Sequence, residues 1–201
     1  MQWKSLAECW HNRWSCNPKR ILCRLLAVAV VWIAGTPLSI AEEPQASEYQ
    51  VKAAFIINFP KYVDWPAEAF AQTNSPIVIA VLGETKVSGE IQKLIAGRTV
   101  NGREIVLKRL ASGEESVVCH ILFVPEAEQQ RSPNLLAKVR DSGVLTVGES
   151  EDFLERGGTI NLALRGGKIA LQVSLLAADK ARIKIGSKLL GVASVVKGKS
   201  K

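Results

Sequence analysis

Cys119 and His120 stand side by side, and a thiol next to an imidazole is the pair from which a thiolate nucleophile is built. Their setting works against that chemistry. They open the apolar run CHILFV at 119–124, which reads as a buried strand, and neighbouring strand residues point to opposite faces. The spacing therefore predicts an inert, buried thiol rather than a nucleophile. Carboxylates gather at Glu114-Glu115 and again at Glu149, Glu151 and Asp152, the set from which a hydrolase acid pair would be drawn. Both groups fall in polar loops or helix starts, where solvation and the helix dipole account for them. Cys9, Cys16 and Cys23 recur every seven residues with His11 nearby, a spacing that fits no zinc pattern. No HExxH, GxSxG, P-loop or GxGxxG pattern occurs. The sequence thus names no catalytic residue, no metal site and no cofactor.

The elements that must position any site are easier to read. Residues 49–66, YQVKAAFIINFPKYVDWP, open as a helix with Val51, Phe55, Phe59 and Tyr62 along one face. Pro60 interrupts it and Trp65-Pro66 ends it. IVIAVL at 77–82 suits a strand buried on both faces, and 86–95 reads as a helix with Val87, Ile91, Leu94 and Ile95 on its apolar side. Asn101-Gly102 marks a turn before an alternating strand at 104–110. A helix after Pro133, stopped by Gly143, leads to a strand at 144–147. Residues 157–164 and 166–173 read as an antiparallel hairpin; the glycine pairs serve turns, because no helix follows them to cradle a phosphate. Helices are expected at 175–180 and 187–196. The pattern predicts an α/β layered domain, with a mostly parallel central sheet flanked by helices and a C-terminal antiparallel hairpin.

Charge and the N-terminus bound the function class. The net charge is +7, but Lys4, Arg13, Lys19, Arg20 and Arg24 against Glu8 give the first 41 residues +4, which leaves +3 for the rest. That is too mild for a phosphate-binding surface, so nucleic acid is not an expected partner. The basic start, the apolar run from Leu25 to Ile33 and the small residues Ser39 and Ala41 read as a secretory signal at 1–41, cleaved after Ala41. The 16 uncharged residues at 25–40 fall short of the ~20 that span a bilayer. A polar linker at 42–48, one domain at 49–196 and a basic tail at 197–201 complete the expected organisation. Cys119 alone would survive export, so no internal disulfide can form.

Two phrases resemble a known family. The first is Lys52-Ala53-Ala54-Phe55-Ile56-Ile57-Asn58-Phe59-Pro60-Lys61-Tyr62-Val63-Asp64-Trp65-Pro66; the second pairs residues 171–178, LQVSLLAA, with Lys184-Ile185-Gly186-Ser187-Lys188-Leu189-Leu190. In this order and spacing they resemble the YfiR/HmsC family of periplasmic proteins, over nearly all of the expected mature region. Pro60 stands where the family has a small residue, Ser174 where asparagine is common, and Arg182 where it has glycine. The lone Cys119 cannot reproduce the paired disulfides of the best-known member, so no redox-sensing role is carried over.

The resemblance implies a regulator rather than an enzyme. Such a protein would bind the periplasmic sensor domain of an inner-membrane diguanylate cyclase and repress it, tuning cyclic-di-GMP and biofilm formation. An outer-membrane lipoprotein would be a second partner, and a homodimer is left open. Candidate partner-binding residues are Phe59, Tyr62, Trp65, Leu175, Ile183, Ile185, Leu189 and Leu190, each of which could equally serve the core. The alternative function is a periplasmic small-ligand binding protein, with its cleft after Leu82 and Val124 at the carboxyl ends of the strands.

Overall fold

A computed structural model describes residues 47–114 and 118–196. The expected leader, its three cysteines and His11, most of the linker, Glu115 and the basic tail lie outside the described residues. The chain divides into two units, Met1–Gln45 and Ala46–Lys201, and every described residue falls in the second.

The first helix, α1 (Glu48–Asn58), begins at a capping box: Ser47 Oγ accepts the N–H of Gln50, whose side chain accepts the N–H of Ser47. It ends as expected just before Pro60, which falls in the 3-10 turn Phe59–Lys61, where its missing N–H costs nothing. A two-residue strand, β1 (Val63–Asp64), and a loop lead to β2 (Ile77–Leu82) and α2 (Lys86–Ile95), capped by Thr85. Then come β3 (Thr99–Val100), β4 (Arg103–Leu110), β5 (Ile121–Val124), α3 (Glu126–Arg131), α4 (Leu135–Lys138) and β6 (Leu145–Gly148). The hairpin of β7 (Ile160–Arg165) and β8 (Lys168–Ser174) is followed by α5 (Leu175–Lys180), β9 (Lys184–Ile185), α6 (Ser187–Leu190) and β10 (Ser194–Val196).

Eight strands form one sheet in the order β10-β8-β7-β6-β5-β2-β4-β3. It is parallel except where β3 meets β4 and β7 meets β8. Both antiparallel turns carry two residues at positive φ, Asn101-Gly102 and Gly166-Gly167, as tight hairpins require. The expected fold class is therefore the observed one. One face of the sheet packs its core against α1 and α2, with Ile56, Ile79, Ile91 and Phe123 at its centre. The other face buries Leu122, Val124, Leu135 and Phe153. The Phe153 ring fills the space between Gly148 and Gly158, where an added Cβ would lie 2.2 Å and 2.1 Å from it.

The structure differs from these expectations in four places. The helix expected at 187–196 stops at Leu190; Gly191 and Val192 form a turn, the β-branched Val195 and Val196 favour extension, and β10 pairs parallel to β8 with Val195 opposite Val173. Helix α3 was not expected, because EAEQQR has no apolar stripe for periodicity to detect. The helix after Pro133 is only Leu135–Lys138, and the strand containing CHILFV begins at Ile121.

Candidate functional site

The chain's two marker phrases meet in space. Strand β1 pairs antiparallel with β9, Val63 opposite Ile185 and Asp64 opposite Lys184. The N–H of Gly186 then donates to the carbonyl of Tyr62 at 2.7 Å. This docking sets α6 beside the end of α1 and leaves a groove of ≈ 730 Å³ between them and α2. Val51, Ala54 and Phe55 form one wall with Phe59 and Tyr62; Leu94 of α2 and Leu189 and Val192 of the C-terminal segment face them, and Gln50 and Lys188 add polar groups to the lining. The Phe55 and Phe59 rings stack with centroids 6.3 Å apart. Polar groups bound the groove without arming it. Asn58 gives its amide N–H to the carbonyl of Ala54 at 2.7 Å, and Glu90 is paired with Lys93 at 2.8 Å. Such a surface suits apolar recognition.

The stripe Val51, Phe55, Phe59 and Tyr62 is thus a face of α1 and its extension, but only Phe59 of the four is buried. The residues that α1 buries are Lys52, Ala53, Ile56 and Ile57. Of the candidate partner residues, Phe59, Tyr62 (37% exposed) and Leu189 come together in the groove. Ile185 and Leu190 are half-buried against the core nearby, and Ile183 lies within the core. Leu175 is exposed on α5, apart from the groove lining. Trp65 packs with Phe70 and His120 instead. Sequence reasoning did not name Leu94 or Val192 as site residues. Leu94 was hidden within a regular apolar stripe, and Val192 within the overlong helix.

The chemically suggestive residues are tied into the scaffold. Cys119 packs among Leu122, Leu135 and Val144, and burial pushes its thiol up to about 12. His120 faces the aromatic residues Trp65 and Phe70. Glu149 binds the buried Lys52 at 2.6 Å, and Lys52 also pairs with Glu48. Burial alone would lower the Lys52 pKa, but the two carboxylates outweigh it and hold it raised. Asp152 accepts from Ser150 Oγ at 3.0 Å and Gln129 Nε2 at 2.8 Å. The slight desolvation that would raise its pKa is overcome by these bonds and by Arg156, so it is lowered. Glu114 accepts the N–H of Ala111 at 3.1 Å within its turn. Among the described residues, no group of three His, Cys, Asp or Glu could hold a metal ion.

Part of the cleft expected after Leu82 and Val124 is taken by a side chain of the protein itself. The Glu128 side chain lies against Gly83, where an added Cβ would come within 2.8 Å of its carboxyl carbon. Its Oε1 accepts from Ser112 Oγ and Arg131 Nη1, each at 2.8 Å.

An α/β domain with an apolar groove, and with Cys119, His120, Glu149 and Asp152 tied into the scaffold, has the build of a binding module. A family model described as YfiR/HmsC-like matches residues 49–194, and the chain belongs to that family. The family has a regulatory role in cyclic-di-GMP signalling, acts on other proteins and is in general periplasmic. Among the described residues, no helix is long and apolar enough to cross a membrane. A search of curated proteins gives no match. Among solved structures, the chain is similar to an ABC domain in complex with L-Trp from Streptococcus pneumonia, with 11% identity and a TM-score of 0.49. The likeness covers 74% of this chain and 60% of that one, and carries no functional argument.

The three departures from the family phrases have simple local accounts. Pro60 sits where a 3-10 turn needs no donor. Ser174 caps α5 by accepting the N–H of Ala177 at 3.3 Å, as an asparagine would. Arg182 takes a φ of 55°, the left-handed conformation that a glycine adopts freely.

Proposed function

We propose that this protein is a periplasmic regulator that binds the periplasmic sensor domain of an inner-membrane diguanylate cyclase and represses it. The observation that carries this reading is the convergence of both family phrases on one apolar groove. The groove offers the aromatic side chains of Phe55 and Tyr62 as anchors, with Leu94 and Val192 as apolar surface around them. An outer-membrane lipoprotein that competes for the same surface would relieve repression. Co-purification with detergent-solubilised cyclase, together with cellular cyclic-di-GMP after gene deletion, tests the proposal. Capture of the cyclase and a rise in cyclic-di-GMP are expected; no capture and no rise would sink it.

The size of the groove favours one second reading. At ≈ 730 Å³ it falls within the ~300–1,000 Å³ range of small-molecule sites, so it could hold a small apolar ligand. A thermal-shift screen of aromatic and aliphatic metabolites checks this, with stabilisation that is lost in Leu94→Glu as the supporting result.

A further inference from the structure

His120 is buried just before β5, and both of its ring nitrogens are engaged. Nδ1 accepts the backbone N–H of Val78 at 3.0 Å, and Nε2 lies 3.1 Å from the carbonyl oxygen of Ala69. Only the neutral ring carrying its proton on Nε2 satisfies both partners. The ring stacks on Phe70 at 4.4 Å and meets Trp65 edge-on at 6.1 Å. Trp65, Ala69 and Phe70 belong to residues 65–76, a strap that joins β1 to β2. Its other anchor is Arg103 on β4. That guanidinium lies 3.8 Å over the Phe70 ring and donates to the carbonyls of Gln72 at 3.2 Å and Ser75 at 2.7 Å.

We propose that His120 is a proton-operated latch on this strap. A proton on Nδ1 turns its acceptor into a second donor facing the N–H of Val78; the ring, still bonded through Nε2 to Ala69, must leave that N–H, and residues 65–76 then lift with it from the ends of the central strands. The surroundings oppose the charged ring: burial lowers its pKa, the Ala69 carbonyl offsets part of this, and Arg103 lowers it further. The other charged side chains on the surrounding elements are exposed: Asp64 on β1, Glu68 on the strap, Glu104 and Lys108 on β4, and Asp141 before β6. None of them hydrogen-bonds to the ring, so among the described residues no carboxylate bonds to an imidazolium there. The strap continues directly from β1, which holds Tyr62 at the groove through β9. Acidification would therefore loosen the rim of the groove. That consequence rests on the groove as the binding surface, whereas the latch itself does not.

Hydrogen exchange of the intact chain, read between about pH 7.5 and about pH 5 and corrected for intrinsic rates, tests the latch. The amides of Ala69, Phe70 and Ser75 are hydrogen-bonded within the strap and serve as reporters. Their protection is expected to fall by about tenfold per pH unit below the ordinary histidine value, while β5 and β6 keep theirs. His120→Asn and His120→Gln cannot take up the proton and should flatten the dependence. If neither variant folds, the His120 ring resonance in the wild type decides, with His11→Gln supplying the assignment. Strap exchange that ignores pH, equal loss in strap and core, variants that keep the wild-type dependence, or a ring that titrates at or above the ordinary value would each overturn the latch. No partner enters these measurements, so they remain readable if the cyclase reading fails.

Discussion

The backbone N–H of Gly186 reaches the carbonyl of Tyr62 at 2.7 Å, so one hydrogen bond fastens the groove's aromatic rim to the start of α6. A Cβ at position 186 would stand 3.1 Å from that same oxygen. Gly186→Val must push the two segments apart, at a cost of about 1–3 kcal/mol. Urea unfolding checks this; an unchanged midpoint would show that the contact yields freely.

Arg182 holds a left-handed conformation that costs a side-chain-bearing residue about 1–2 kcal/mol. Arg182→Gly removes that strain but frees the unfolded chain, which returns about 0.4–1 kcal/mol. The net expectation is a gain of between zero and about 1.6 kcal/mol, seen as a higher melting temperature. A drop would mean that the arginine side chain contributes more than its backbone strain costs.

Lys52 ties α1 to the end of β6 through Glu149 and closes back on Glu48. Lys52→Ala leaves both carboxylates unpaired, and because each is partly solvated the loss should be about 1–3 kcal/mol rather than the larger cost of a fully buried pair. The pH dependence has a definite sign. A lysine with a raised folded pKa contributes stability that is complete below its ordinary value and lost as pH rises through the folded one. The wild type should therefore weaken above about pH 10.5, and the variant should lack that component. Equal alkaline profiles would contradict the assignment.

Val192 is 72% exposed, yet it lines the groove. Val192→Glu should change stability by less than about 0.5 kcal/mol while weakening partner binding by at least about tenfold. Trp65→Ala should behave in the opposite way and destabilise by about 3 kcal/mol, because its ring packs on Phe70 and His120. Calorimetry on the isolated proteins, paired with a binding titration, separates the two.

Much of the sheet was legible because its signals are local. Ile77–Leu82 reads as a buried strand from six apolar residues in a row, and Asn101-Gly102 and Gly166-Gly167 mark their turns by residue type. The groove was legible only in part. Val51, Phe55, Phe59 and Tyr62 define a stripe, but α1 has a second one at Ala53, Ile56 and Ile57, and periodicity cannot say which stripe faces the core. The pairing of β1 with β9 joins two-residue strands about 120 positions apart, too short to carry an alternation. Lys52 was read only as part of a phrase, since a lysine among apolar residues gives no sign of the two carboxylates that come to it.

The most direct test is cyclic-di-GMP synthesis by the membrane-reconstituted cyclase, titrated with this protein and with its Val192→Glu variant. Synthesis should fall as wild-type protein is added on the periplasmic side, and the variant should need at least about tenfold more to match it. Synthesis that is indifferent to the wild-type protein, or equally repressed by both, would contradict repression through the groove.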